Sequence, residues 1–283
     1  MSNVNVVRTA AAGRIQTAAY IDRPTALLPN TTLNQKLNIA REVDITTSDR
    51  HAVRYVGIGN GGHGFVTGAN GFPKWDPKHH TAEHAAMYNQ LPFVLRRETN
   101  DLPVEQRQRY RLRRIEEYNG VKYVAYYLRV LNMTTTVVNQ ELRRTVDGVT
   151  TSIPYVPTLE NLNPTPPVLV AGEAVSTTGE YIASTARVPF VMSRTDIQEF
   201  IDACRIIYNE DGYAVISEMA VVAGCDRVIN GDFMGEQKPY TDAIRCEITS
   251  FVATGFIAEY FADGFNMMID VGNVEPLLNV AVI

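Results

Sequence analysis

Three Asx-Gly pairs, Asn119-Gly120, Asp147-Gly148 and Asp263-Gly264, each stand between segments rich in β-branched and aromatic residues. A two-residue turn between antiparallel strands needs positive φ at both positions, and Asn, Asp and Gly adopt it more cheaply than other residues. The first pair divides YRLRRIEEY from VKYVAYYLRV, the second ELRRTV from VTTSIPYV, and the third FIAEYFA from FNMMIDVG. Hairpins pair strands antiparallel, so they oppose the strand–helix alternation that builds a parallel sheet. The expected fold class is α+β and β-rich: antiparallel hairpin sheets with two or three short helices and long loops.

Helix signals are fewer. Asp76-Pro77 offers an N-cap and a first-turn proline for a helix running to about Tyr88, before Pro92. Leu102-Pro103-Val104-Glu105 opens a shorter one. Thr195 with Gln198 reads as a capping box, and Ile197, Phe200, Ile201, Cys204 and Ile207 form one apolar stripe behind it. Asp211-Gly212 ends that helix, and YAVISEMAVVAG follows as a buried strand. The expected organisation is an N-terminal arm over 1–50, a hairpin-rich domain over 51–153, a Pro/Gly/Thr-rich connector over 154–194, and a helix with antiparallel strands over 195–283. The last segment is expected to pack with 51–153.

A hydrophobic fraction of 45% in 283 residues is enough for real cores. The formal net charge of −5 gives no general attraction for nucleic acid or an anionic membrane. That charge is unevenly spread: residues 195–283 carry 15 acidic and 4 basic side chains, which leaves +6 on residues 1–194. Such polarity suggests head-to-tail contact between copies or with a complementary neighbour, and solvated faces alone would also produce it. Cys204, Cys225 and Cys246 sit among apolar residues and read as small core side chains in a reducing compartment. No apolar run approaches the roughly 18 residues of a membrane span, and the N-terminus lacks the apolar core of a signal peptide. The chain is expected to be soluble and cytosolic where it is made.

Two catalytic-looking patterns overlap in GIGNGGHGFVTGANGFPKWDPKHHTAEH, residues 57–84. Gly57, Gly59 and Gly62 fit a dinucleotide fingerprint, which needs a strand before it and a helix directly after it. Here more glycines and Pro73 follow, with no helix signal until Asp76, so no cofactor is expected. His80, Glu83 and His84 fit the zinc pattern H-x-x-E-H, whose imidazoles share a helix face and whose chemistry needs a third protein ligand. The downstream carboxylates Glu105, Glu116, Glu117, Glu141 and Glu160 fall in a basic stretch, in hairpin strands or in the connector. His80 and His84 are thus candidates for a minor metal site at most, and no catalytic residue is assigned.

Arg96, Arg97, Arg107, Arg109, Arg111, Arg113 and Arg114 form a basic cluster, and the chain holds 21 arginines against 5 lysines. With Tyr110 as the one aromatic among them, the cluster reads as a sheet face or an Arg-rich subunit interface rather than a nucleic-acid surface. Arg107, Arg109, Arg111, Arg113, Phe72 and Trp75 are the expected interface residues.

The phrases Arg54-Tyr55-Val56-Gly57-Ile58-Gly59, Trp75-Asp76-Pro77, Tyr213 through Ser217-Glu218-Met219 to Gly224, and Asp270-Val271-Gly272 to Leu278 resemble virion structural proteins of tailed bacteriophages. They are similar in particular to baseplate wedge and other tail or neck components. The resemblance implies a β-rich, non-enzymatic subunit assembled in symmetric copies, made in the host bacterial cytoplasm and ending in the virion. Its implied partners are copies of itself and other virion structural proteins, with no membrane, nucleic acid or small-molecule substrate. A neck or collar position is the next expectation. From other classes come a zinc-dependent hydrolase using His80, Glu83 and His84, and a carbohydrate- or receptor-binding β module with exposed tyrosines and Trp75 as its contacts.

Overall fold

The computed structural model describes residues 4–25, 33, 49–164, 173–254 and 264–282. In chain order the elements are β1 (Val4–Arg8), α1 (Ala10–Tyr20), β2 (Ala52–Gly59), β3 (His63–Thr67), β4 (Pro73–Pro77), β5 (Gln90–Leu91), β6 (Val94–Arg97), α2 (Val104–Arg107), β7 (Tyr110–Tyr118) and β8 (Val121–Val130). They continue with β9 (Val138–Val146), β10 (Val149–Pro154), α3 (Leu159–Leu162), β11 (Glu173–Met192), α4 (Arg194–Tyr208), β12 (Glu218–Phe233), β13 (Glu236–Thr254) and β14 (Phe265–Val282). The fold is β-rich α+β with antiparallel sheets, as expected. The chain divides into two compact units, Met1–Leu131 with Val191–Phe265, and Asn132–Phe190 with Asn266–Ile283.

The first unit is built on an eight-stranded sheet with the path β1-β13-β12-β2-β8-β6, β5 joining β2 and β7 joining β8. Tyr55, Ile58, Phe93, Leu112, Leu128, Phe200, Ile244 and Phe251 are fully buried in it. The Asn119-Gly120 turn closes β7 on β8 at Tyr118↔Val121, with φ of 53° and 74°. A second turn in this unit, Met234-Gly235, closes β12 on β13 with φ of 57° and 86°. Methionine is an unusual occupant of the left-handed region, and here Asp232 Oδ1 accepts the Gly235 N–H at 2.6 Å to hold the turn.

The second unit holds a four-stranded sheet in the order β10-β9-β11-β14. Asp147-Gly148 closes its hairpin at Val146↔Val149, with φ of 49° and 77°. The expected third hairpin falls partly outside the described residues: Asp263 is not among them, Gly264 has φ of 87°, and β14 pairs with β11.

Four expectations change. The helix over 76–88 does not form. Residues 73–77 instead pair with β3 from Thr67↔Pro73 to His63↔Pro77, and the backbone after them bonds outward rather than within a helix. The 1–50 segment is no free arm where it is described, since β1 pairs with β13 from Val4↔Thr254 to Arg8↔Ser250 and Thr9 caps α1. Residues 26–32 and 34–48 lie outside the described residues. The connector over 154–194 is a strand from Glu173 to Met192, because EAVSTTGEYIASTARVPFVM is rich in Val, Ile and Thr, which favour a pleated surface. Finally, Ser193 rather than Thr195 caps α4: its hydroxyl accepts from the Asp196 N–H, and Asp196 accepts back from the Ser193 N–H.

His51 gives the first unit a pH dependence. Its Nδ1 lies 2.9 Å from the Thr25 hydroxyl and its Nε2 2.9 Å from the Arg245 carbonyl. A carbonyl only accepts, so Nε2 carries the proton and Nδ1 accepts from Thr25 in the neutral ring. Burial lowers the His51 pKa to about 4, the hydrogen bond to Arg245 opposing and the Arg14 charge assisting. The unfolded chain therefore binds this proton more readily, so the stability due to neutral His51 is complete above about pH 6.5 and is lost as pH falls towards 4. Urea unfolding at pH 7.5 and pH 4.5 should show a loss on the order of 2 kcal/mol from this ring alone, and His51→Gln should flatten that part of the profile.

Candidate functional site: the glycine stretch and the His80–Glu218 pair

The glycines of residues 57–62 sit where two other backbones press against β2. Ser217 N–H donates to the Gly59 carbonyl at 3.0 Å, Lys78 N–H to the Gly62 carbonyl at 2.8 Å, and Gly62 N–H to the Ser217 hydroxyl at 3.1 Å. A Cβ on Gly59 would stand 2.3 Å from the Asn89 carbonyl, and one on Gly62 would stand 2.3 Å from the Ser217 carbonyl. The stretch needs glycine for close approach of chain to chain. What meets it is a loop over 78–89 and the start of β12, where a dinucleotide site would have a helix N-terminus.

Glu218 is fully buried at that junction. Its Oε1 accepts the Asn89 N–H at 2.7 Å, and its Oε2 accepts the Tyr88 N–H at 3.0 Å. The same Oε2 lies 3.3 Å from His80 Nε2, with both side chains at or near zero exposure. The His80 ring stacks on Phe251, with centroids 3.8 Å apart and planes 3° apart. Burial lowers the His80 pKa and the Glu218 charge opposes it, so we assign a neutral ring with its proton on Nε2, donated to the carboxylate. His84 Nδ1 lies 3.1 Å from His80 Nδ1 and accepts the Thr81 N–H at 3.3 Å.

The geometry is that of an internal clamp. A buried carboxylate gathers two backbone donors and one imidazole, and through them fixes the 78–89 loop to β12. His80 and His84 are neighbours, as their spacing suggests, but on a loop and not on a helix. Glu83 is exposed, and the carboxylate that reaches His80 is Glu218. Among the described residues no group of three or more His, Cys, Asp or Glu side chains is placed to hold a metal ion. The arrangement that H-x-x-E-H chemistry requires is not formed by these residues.

The arginine candidates are largely spent inside the first unit. Arg111, 7% exposed, donates to both Asp226 oxygens at 2.7 and 2.9 Å. Arg113, 5% exposed, pairs with Asp101 at 3.2 Å, donates to the Asp232 carbonyl and lies over the Phe233 ring at 4.0 Å. Arg107 donates to the Leu102 carbonyl and also covers Phe233, while exposed Arg109 reaches Asp196 at 3.2 Å. Phe72 is well exposed beside β4, and Trp75 is a residue of β4.

Ion pairs also bear on the charge polarity. Arg14–Glu247, Arg96–Glu199, Arg109–Asp196, Arg111–Asp226, Arg114–Asp242 and Arg129–Asp196 all join the basic first two thirds of the chain to its acidic last third. The polarity is met within one molecule, because α4, β12 and β13 carry the acids into the unit that holds β7.

No helix among the described residues is long and apolar enough to cross a membrane. In comparison with known proteins, a family model described as a family of unknown function (DUF7208) matches residues 1–282. No curated protein and no solved structure matches.

Proposed function

The chain belongs to the family of unknown function DUF7208, and from its own residues we propose that it is a structural assembly subunit of a tailed-phage particle. It works by burying surface against copies of itself and other virion proteins, not by catalysis. The observation that carries this reading is the open sheet of the second unit. On one face of β9 and β10, Val138 is 72% exposed, Val146 49%, Val149 66% and Ile153 59%. The buried hydrophobic residues of this unit, among those described, are Ala183, Val188, Phe190 and Ile269. They share that face with Gln140, Leu142, Arg144 and Thr151, and this much exposed apolar area on one sheet face marks an interaction surface. Phe65 and Phe72 in the β3–β4 hairpin add a second exposed apolar site, on the first unit.

The phage assignment rests on the sequence phrases that resemble baseplate wedge and other tail components, with neck or collar as the next position. The subunit is then made in the host cytoplasm and retained in the virion. Mass spectrometry of purified particles tests this: the chain should appear in a fixed ratio to the major tail proteins. Absence from particles would remove the phage assignment, and a protein that stays monomeric at every concentration would remove the assembly reading with it.

A further inference from the structure

We propose that β10 pairs antiparallel with β10 of a second copy, about a two-fold axis through Thr151. This rests on the assembly reading and names one of its interfaces. β10 is an edge strand of the four-stranded sheet, and all six of its residues are exposed. Edge strands are commonly guarded by charge, by bulges or by cover. This one reads VTTSIP and carries no charge, so a like strand meets no repulsion.

The hydrogen-bond register decides which residues remain to be paired. Val146↔Val149 closes a two-residue turn, and Tyr155 N–H donates to the Gln140 carbonyl at 2.9 Å. Bonding direction alternates along a strand, so Val149, Thr151, Ile153 and Tyr155 turn their backbone groups to β9. Thr150 and Ser152 turn theirs outward. Pro154 also faces outward, where its missing N–H leaves no gap in the ladder with β9.

Symmetry, together with the need to pair every outward group of Thr150 and Ser152, then selects one register. A two-fold axis perpendicular to the sheet keeps each face on its own side, so residues opposite each other must belong to the same face. The outward N–H and C=O groups of Thr150 and Ser152 can meet those of a second copy only if Thr150 lies opposite Ser152, which puts the axis through Thr151. Four backbone hydrogen bonds form. The same register sets Val149 opposite Ile153 of the other copy, and these are the two apolar side chains on that face of β10. On each sheet Val149 already neighbours Val146, and Ile153 neighbours Leu142 and then Ile182. The apolar row Ile182–Leu142–Ile153 would therefore continue across the axis into Val149 and Val146. Self-complementarity in bonding, side chains and charge together favours a second copy over a foreign strand.

Cysteine scanning in the full-length protein tests the register, since Cys204, Cys225 and Cys246 are buried. Two Thr151 Cα atoms would lie about 4.5 Å apart, within disulfide reach, whereas two Thr150 Cα atoms would be about 8 Å apart and outside it. Under mild oxidation Thr151→Cys should give covalent dimer in large excess over Thr150→Cys. Ser152→Pro removes an outward N–H from each copy and should weaken self-association by about 30-fold in sedimentation velocity, with Ser152→Ala close to wild type. No dimer from Thr151→Cys, or equal yields at both positions, overturns the pairing. Self-association of wild type that Ser152→Pro leaves unchanged overturns it too, but leaves assembly standing on another surface. A wild-type chain that is monomeric throughout and missing from particles ends both. A foreign strand on β10 would show as a different protein cross-linked to Thr151→Cys, and would also overturn the pairing.

Discussion

Glu218→Ala is expected to cost about 4 kcal/mol of unfolding free energy, read as a lowered urea midpoint. The carboxylate is fully buried and holds the Asn89 N–H at 2.7 Å, the Tyr88 N–H at 3.0 Å and His80 Nε2 at 3.3 Å. Alanine leaves two partly buried backbone donors and one buried imidazole N–H without an acceptor, and also a cavity beneath Gly59, whose Cβ position lies 2.8 Å from Glu218 Oε1. Glu218→Gln keeps the volume and one acceptor oxygen, so Asn89 retains its bond. The amide NH2 then faces two donors, and the loss should be roughly half as large. Hydrogen exchange separates this account from a general loss of packing. The Tyr88 and Asn89 amides should lose protection far more than amides in the β7–β8 hairpin. An alanine variant as stable as wild type would show that the clamp does not hold the loop.

The clamp also shows how much the sequence revealed. Its glycines and histidines were conspicuous, but the chemistry they suggested required a helix over 76–88. The local signal for that helix, Asp76 and Pro77, was real yet lost to pairing of Pro73–Pro77 with β3. Glu218 is not marked as a partner for His80 by any local pattern, because it stands in a run of apolar residues 138 positions away. A usable signal was present: a carboxylate inside a buried strand must find donors, and a buried histidine is one of few that can reach it. The hairpins at Asn119-Gly120 and Asp147-Gly148 were legible because their turn chemistry is local. The Met234-Gly235 turn was not, since its left-handed methionine is held by Asp232 and by the length of β12 and β13 rather than by propensity. Charge polarity is only partly legible for a related reason. Sequence gives the sum over each half, while the sheet order decides that Asp226 and Asp242 meet Arg111 and Arg114 of the same molecule.

Asp242 is the second position where one acid should decide stability, and here it acts through a strained backbone. Leu112 has φ of 54° and is fully buried in mid-strand. The β7–β8 ladder runs from Arg111↔Leu128 to Arg113↔Tyr126 and passes over it. A non-glycine residue in the left-handed region costs on the order of 1 kcal/mol and persists only where its surroundings hold it. Asp242 does so: Oδ1 accepts the Leu112 N–H and the Ala243 N–H, while Oδ2 takes Arg114 at 3.2 Å and the Tyr240 hydroxyl at 3.3 Å. Asp242→Ala should therefore cost about 3 kcal/mol, chiefly from the orphaned Leu112 and Ala243 amides and the lost ion pair with Arg114. Asp242→Asn retains an acceptor for Leu112 and gives up the charge facing Arg114, so it should fall between wild type and alanine. Because the strain is local, the alanine variant should expose the Leu112 amide to exchange before global unfolding. If asparagine and alanine proved equally destabilising, the ion pair with Arg114 would be the principal contribution and the backbone bond to Leu112 a minor one.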